Sequence, residues 1–319
     1  MEKPAAPTPF RTRLLAAART LRVDHITSEV LRTFERAGVR SILLKGPTLQ
    51  RELYGDTAWR SYSDTDLLVS PADLERAGAA LTAAGFHLTL DHRDHGLIAE
   101  PHAQEWGLTA GAKNVDLHWR IPGIGAPAER AWRVLIARTQ SIKIGGGPGE
   151  RLDQPATALL VALHAAHHGG TLEKPRTDLE LAVDRLSGDT WGEAALLAGE
   201  LDAIEAFVTG LRLVPAGVAL ADRLDLPTAA SAQRRLMASG APPGSLTALR
   251  VIETRGVRGR ARAIRGALFP GADFMRASSP LARRGRRGLA LAYLVRAAAR
   301  ARQLPTALRA VRRSRGRRA

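Results

Sequence analysis

Asp64 and Asp66 are the residues whose type and spacing point most directly to chemistry. They open the run Asp64-Thr65-Asp66-Leu67-Leu68-Val69, which reads as a buried strand. In a strand, residues i and i+2 project to one face. Two carboxylates held side by side repel, and each raises the other's pKa unless a cation intervenes. Mg²⁺ is the usual remedy, because it takes hard oxygen ligands and keeps waters for substrate phosphates. A third acid, Asp116, lies in a second alternating segment, Val115-Asp116-Leu117-His118-Trp119. If the two strands are neighbours, the three carboxylates converge and could hold two Mg²⁺ ions, one activating a hydroxyl and one on a triphosphate. A solvated acidic strand end is the competing account of Asp64 and Asp66 taken alone. His118 shares the face of Asp116, where it could orient the carboxylate, contact substrate, or make a structural hydrogen bond.

The elements that must position these groups follow from periodicity and punctuation. Residues 11–37 carry apolar side chains near helical spacing, and Gly38 is a helix stop. Ser41-Ile42-Leu43-Leu44 reads as a buried strand ending at Lys45-Gly46-Pro47, with a helical stretch over 48–54 closing at Gly55. After the Asp64 strand, Ser70-Pro71 begins a helix that runs to about 84, and residues 86–90 form a third strand. Residues 104–121 read as a hairpin whose turn lies at 110–113. Beyond about 150, helices are expected at 155–168, 177–187, 190–209 and 212–223. The expected fold is therefore α/β, or α+β by stricter naming. A small mixed sheet with flanking helices fills 1–150, a helical domain fills 151–310, and 311–319 is a disordered basic tail.

Composition removes some classes of function. The chain has no cysteine, which excludes disulfides, thiolate metal sites and cysteine nucleophiles. Its formal charge of +16 is not spread evenly. Residues 251–319 hold nineteen arginines against Glu253 and Asp273, a local +17, so residues 1–250 come to about −1. Residues 1–10 lack a secretory apolar region, and no run of eighteen apolar residues exists, so the chain reads as soluble, cytoplasmic and not inserted in a membrane.

A strand ending in Lys45-Gly46, a short helical segment, and Asp64 eighteen residues after the glycine form a recognisable order. In this order the sequence resembles the DNA polymerase β-like nucleotidyltransferase superfamily. More closely, LLKGPTLQRELYGDTAWRSYSDTDLLV followed by VDLHW resembles its nucleotidyltransferase family with an L-K-G start. The core resemblance covers about residues 40–120, with looser similarity as far as LFPGADFMR. It implies a metal-dependent transfer of a nucleoside monophosphate from a nucleoside triphosphate to an acceptor. Asp64 and Asp66 would bind both metals, Asp116 would complete the acceptor-activating site, and Gly46 would let backbone approach the phosphates. The superfamily usually has Gly-Ser or Gly-Gly at this turn, whereas here Pro47 follows Gly46 and cannot donate a backbone N–H. Lys45 could compensate as a point charge on the triphosphate, or be a strand-end lysine reaching solvent. Arg60 could clamp a phosphate or neutralise the carboxylates, and Ser63 is a further candidate phosphate contact.

His164, His167 and His168 fall in an apolar helical segment, where core or acceptor-pocket histidines are expected rather than zinc ligands, because Ala165 stands where H-E-x-x-H needs its glutamate. Asp178 and Asp184 read as a solvated helix face. A small molecule, peptide or protein is the expected acceptor ahead of nucleic acid. Two other readings stay open: a nucleotide-binding protein of the same fold without turnover, and a basic nucleic-acid-associated module.

Overall fold

The computed structural model describes residues 9–55, 60–94, 100–109, 114–228, 231–242 and 244–316. The chain begins with the long helix α1 (Pro9–Arg36) and strand β1 (Ser41–Leu43), then α2 (Pro47–Leu49), which widens into a π-helical turn over Gln50–Tyr54. Strand β2 (Thr65–Val69), helix α3 (Leu74–Ala83) and strands β3 (His87–Asp91), β4 (Ala103–Gly107) and β5 (Val115–His118) follow. Helix α4 (Ala128–Ile136) and the hairpin β6 (Thr139–Ile144) and β7 (Gly147–Leu152) complete a seven-stranded mixed sheet in the order β3-β4-β5-β2-β1-β7-β6. The β2–β5 and β1–β7 pairs are parallel, and the other four are antiparallel.

Alternation along the central strands divides their side chains between two cores. Leu43, Leu67, Val69, Val115 and Leu117 pack with α1 and α3, through Ile26, Val30, Phe34, Leu74 and Leu81. Ile42, Leu44 and Leu68 turn the other way and pack against the helices that follow the sheet. The polar residues obey the same period. Thr65 points to α1, where its hydroxyl lies 2.7 Å from that of Thr27, while Asp66 goes with Leu68 toward the later helices.

Those helices centre on α5 (Gln154–His168), which is apolar on all sides and accordingly surrounded. Asp153 caps it by accepting from the Ala156 N–H at 2.9 Å. Helices α6 (Glu173–Arg185), α7 (Gly188–Glu200) and α8 (Ile204–Leu211) pack around it, and α9 (Pro215–Arg223) closes this layer. The rest of the chain forms α10 (Ala232–Ala238), α11 (Ser245–Glu253), α12 (Val257–Leu268), α13 (Ala272–Ser278) and α14 (Gly285–Gly316).

Several sequence expectations need correction. The β6–β7 hairpin and α4 were not anticipated, although the Gly145-Gly146 turn joining the strands is a hairpin signal. The single helix expected over 190–209 is two helices, α7 and α8, because Asp202 adopts a left-handed φ of 52° between them. Residues 311–316 are the last turns of α14 rather than a disordered tail, with Val311 and Ser314 buried. Residues 317–319 and the hairpin turn expected at 110–113 lie outside the described residues. Among the described residues no helix is long and apolar enough to cross a membrane.

The close approach of α8 to α5 yields a test. A Cβ on Gly210 of α8 would lie 2.0 Å from the Ala162 carbonyl oxygen on α5. Gly210→Ala should force the two helices apart and cost about 3 kcal/mol of stability, read as a lower urea midpoint.

Candidate active site

The parallel pairing of β2 with β5 sets Asp66 directly beside Asp116, and Leu68 beside His118. One ligand atom from each of Asp66, Asp116 and His118 falls within 4.8 Å of the others. Two carboxylates and one imidazole thus share a small space on the sheet face toward α5. This donor set fits a divalent cation: the carboxylates suit Mg²⁺ or Mn²⁺, and the imidazole widens the choice toward softer ions such as Zn²⁺. These three residues could hold a metal. Asp64 lies one residue before β2, half-buried and outside that three-atom group.

Asp66 is 6% exposed and is compensated from two directions. The Lys45 ammonium lies 2.8 Å from its Oδ1, and His118 Nε2 lies 3.2 Å from the same oxygen. Burial pushes the Asp66 carboxyl up, but Lys45 and His118 outweigh burial and hold it well below the usual carboxylate range. Lys45 therefore does not reach out to solvent; it belongs to the carboxylate cluster. It is placed there by the antiparallel β1–β2 pairing, which continues past the strand as a Leu44 N–H bond to the Asp66 carbonyl at 3.0 Å.

Gly46 follows with φ +70° and ψ −115°, a backbone conformation closed to residues with a side chain. The Tyr62 ring lies against it, and the Tyr62 hydroxyl donates to Asp24 Oδ1 on α1 at 2.6 Å. The turn is thus braced from the α1 side. Ser63 is exposed at the surface.

Arg60 takes a different place from the one its position implied. Its Nε and Nη2 each donate to Asp178 of α6 at 2.8 Å, in a bidentate pair 4% and 1% exposed. The Tyr54 hydroxyl donates to the same Asp178 at 2.8 Å. The guanidinium edge expected to grip phosphate is committed to this buried ion pair, although Arg60 remains close enough for its charge to be felt by Asp66. Asp178 is correspondingly not a solvated residue, whereas Asp184 is exposed.

Two further contributors have no local motif. Lys174 of α6 reaches back so that its ammonium donates to the Ser61 carbonyl at 2.5 Å. Burial pushes its pKa down, with Arg60 acting in the same sense and Asp178, Asp64 and Asp66 opposing. His102, just ahead of β4, stacks on His118 with ring centroids 5.5 Å apart and meets His167 edge-on at 5.6 Å. His167 contacts His168, which in turn contacts His164. The histidines close a cavity of about 40 Å³ beside Lys45 and His118, between the sheet and α5. Burial pushes His102 down to about 2, His167 to about 3 and His164 well below its usual value, so all three are neutral near pH 7. They form an uncharged polar wall beside the carboxylates.

A glycine turn presenting a lysine, followed by paired carboxylates on adjacent parallel strands, defines a site suited to metal and phosphate chemistry. The sequence matches the family described as uncharacterised nucleotidyltransferase over residues 9–216. The match takes in the sheet, the site and helices α1 to α8, and the chain belongs to this family. No curated protein matches the chain.

Asp178→Ala should strand the Arg60 charge in the interior and lower stability by about 3–5 kcal/mol, measurable by chemical denaturation. The histidines set the acid side of the stability profile. Below about pH 6.5 the unfolded chain binds protons that folded His164 and His167 refuse. Stability present above that pH is therefore lost as the pH falls toward their folded values, by about 1.4 kcal/mol per pH unit for each histidine. Denaturation midpoints recorded at successive pH values should decline steadily through this range, and a flat profile would contradict the neutral wall.

Proposed function

We propose that the chain transfers a nucleotidyl group from a nucleoside triphosphate to an acceptor hydroxyl or phosphate and releases pyrophosphate. The observation that carries this reading is the in-register placement of Asp66 beside Asp116, with His118 in reach of both. Membership of the nucleotidyltransferase family supports it independently. Asp66, Asp116 and His118 would hold divalent metal, with Asp64 at the edge of the cluster; two Mg²⁺ ions are the expected complement. When bound, the metal supplies neutralisation of triphosphate charge and lowers the pKa of an acceptor hydroxyl.

The chain's own residues supply the rest. Lys45, rooted beside the Gly46 turn, offers a point charge to the triphosphate where Pro47 cannot offer an N–H. Lys174 brings a second ammonium from α6 to the Asp64 side. His118 steadies Asp66 through Nε2, and the apolar packing beneath strengthens every charge interaction at the site by limiting water. Arg60 acts through Asp178 to anchor α6, and with it Lys174, against the site.

A second reading, nucleotide binding without turnover, draws support from Pro47 and from the contact of Lys45 with Asp66. Pyrophosphate release with each triphosphate, in Mg²⁺ and in Mn²⁺, against a cell extract separates the two. Asp66→Asn and Asp116→Asn should each lower transfer about a hundredfold or more while the circular dichroism spectrum is retained. Near-normal turnover by either variant would refute the transfer reading. Calorimetric binding of a nonhydrolysable triphosphate with no pyrophosphate release by the native chain would favour the second.

A further inference from the structure

Helix α14 is 32 residues long and docks along one side only. Ala292, Ala307 and Val311 are buried against the body. On the opposite side Leu291, Leu294 and Val295 are 49%, 68% and 52% exposed, an apolar patch at helical spacing. Arg287 precedes the patch and Arg302 and Arg309 follow it on the same side, all exposed. From Arg287 to Arg309 this stripe runs about 33 Å along the helix. Helix α12, which α14 packs against, shows a related pattern, with Val257 and Ile264 exposed among its four arginines.

We infer that this outer stripe of α14 docks on the surface of an anionic phospholipid bilayer. Charge complementarity selects the occupant. Residues 251–319 carry a net +17, so the partner must be strongly anionic, and a second copy of the chain would bring like charge against like. The central patch selects further. Leucine and valine gain little against a phosphate backbone, and Tyr293 is the one aromatic residue in α14, so base stacking has little to work with. A bilayer interface meets both requirements. Leu291, Leu294 and Val295 would enter the acyl boundary, while arginines on flexible stems place their heads among the phosphates. The attachment is peripheral, and no described helix is suited to crossing. It is independent of the transfer chemistry, because the stripe shares no residue with the carboxylate site.

The test is co-sedimentation of the full chain with vesicles of mixed phosphatidylglycerol and phosphatidylcholine, and with phosphatidylcholine alone, at physiological salt. Binding is expected to the anionic vesicles and not to the zwitterionic ones. The double variant Leu294→Glu/Val295→Glu should lower partitioning about tenfold or more with unchanged thermal stability, since both side chains are exposed in the native chain. A second variant, Arg302→Gln/Arg309→Gln, should lose the preference for anionic lipid and keeps the test open if the first folds poorly. Vesicle binding that ignores the glutamates would overturn the inference, as would equal binding to both vesicle types. So would tighter binding to duplex RNA or DNA that is indifferent to Leu294→Glu, or a concentration-dependent dimer abolished by it.

Discussion

Two carboxylates fixed side by side in a sheet are an electrostatic liability, and the site is organised around it. The parallel register of β2 and β5 leaves Asp66 no freedom to turn away from Asp116. A charge buried at 6% exposure survives only if something opposite in sign stands against it. Here that is Lys45 directly, with His118 as hydrogen-bond partner. Lys45 can serve because β1 runs antiparallel to β2 and ends level with Asp66. The chain must then turn sharply, which is where Gly46 adopts its unusual backbone angles. The strand order β5-β2-β1 is therefore as much an arrangement of charge as of hydrogen bonds.

The same constraint explains how much could be read from sequence. Asp66 and Asp116 were legible because a period of two fixes the face of a strand residue without knowledge of the fold. The apolar runs around them fixed that they were strands. Asp64 obeys the same alternation, yet it precedes the strand proper, and His118 takes the third place in the metal-competent group. Period alone could not separate a residue inside the ladder from one at its entrance. Arg60 was expected at the site, but its bond to Asp178 could not be read, because Asp178 lies 118 residues away in sequence and meets it only through the packing of α6. Lys174 and His102 carry no local signal for the same reason: each is brought in by the packing of elements distant in sequence.

The fold shows a parallel division. Helices with strong apolar spacing and clear stops, such as α1 and α5, were read near their observed limits. The β6–β7 hairpin was not, since its strands, Thr139–Ile144 and Gly147–Leu152, mix charged, polar and glycine residues and half of their side chains or more face water or lie only partly covered. Strands of this kind, β6 at the sheet edge and β7 between it and β1, take their structure from the neighbours they pair with rather than from their own composition. The mixed sheet and helical layer were otherwise anticipated, and the family match agrees with both.

One consequence of the Tyr54–Arg60–Asp178 contact reaches into kinetics. Tyr54 and Arg60, both ahead of β2, grip a single aspartate on α6, and Lys174 on that helix donates to the Ser61 carbonyl. Swinging the helical layer away from the sheet would leave an ion pair broken in hydrocarbon, so a hinge motion at this place is costly. A layer tied down in this way favours ligand capture by diffusion and charge steering over capture by a closing motion. The observed association rate should accordingly rise in proportion to ligand concentration, without the plateau that a gating step imposes.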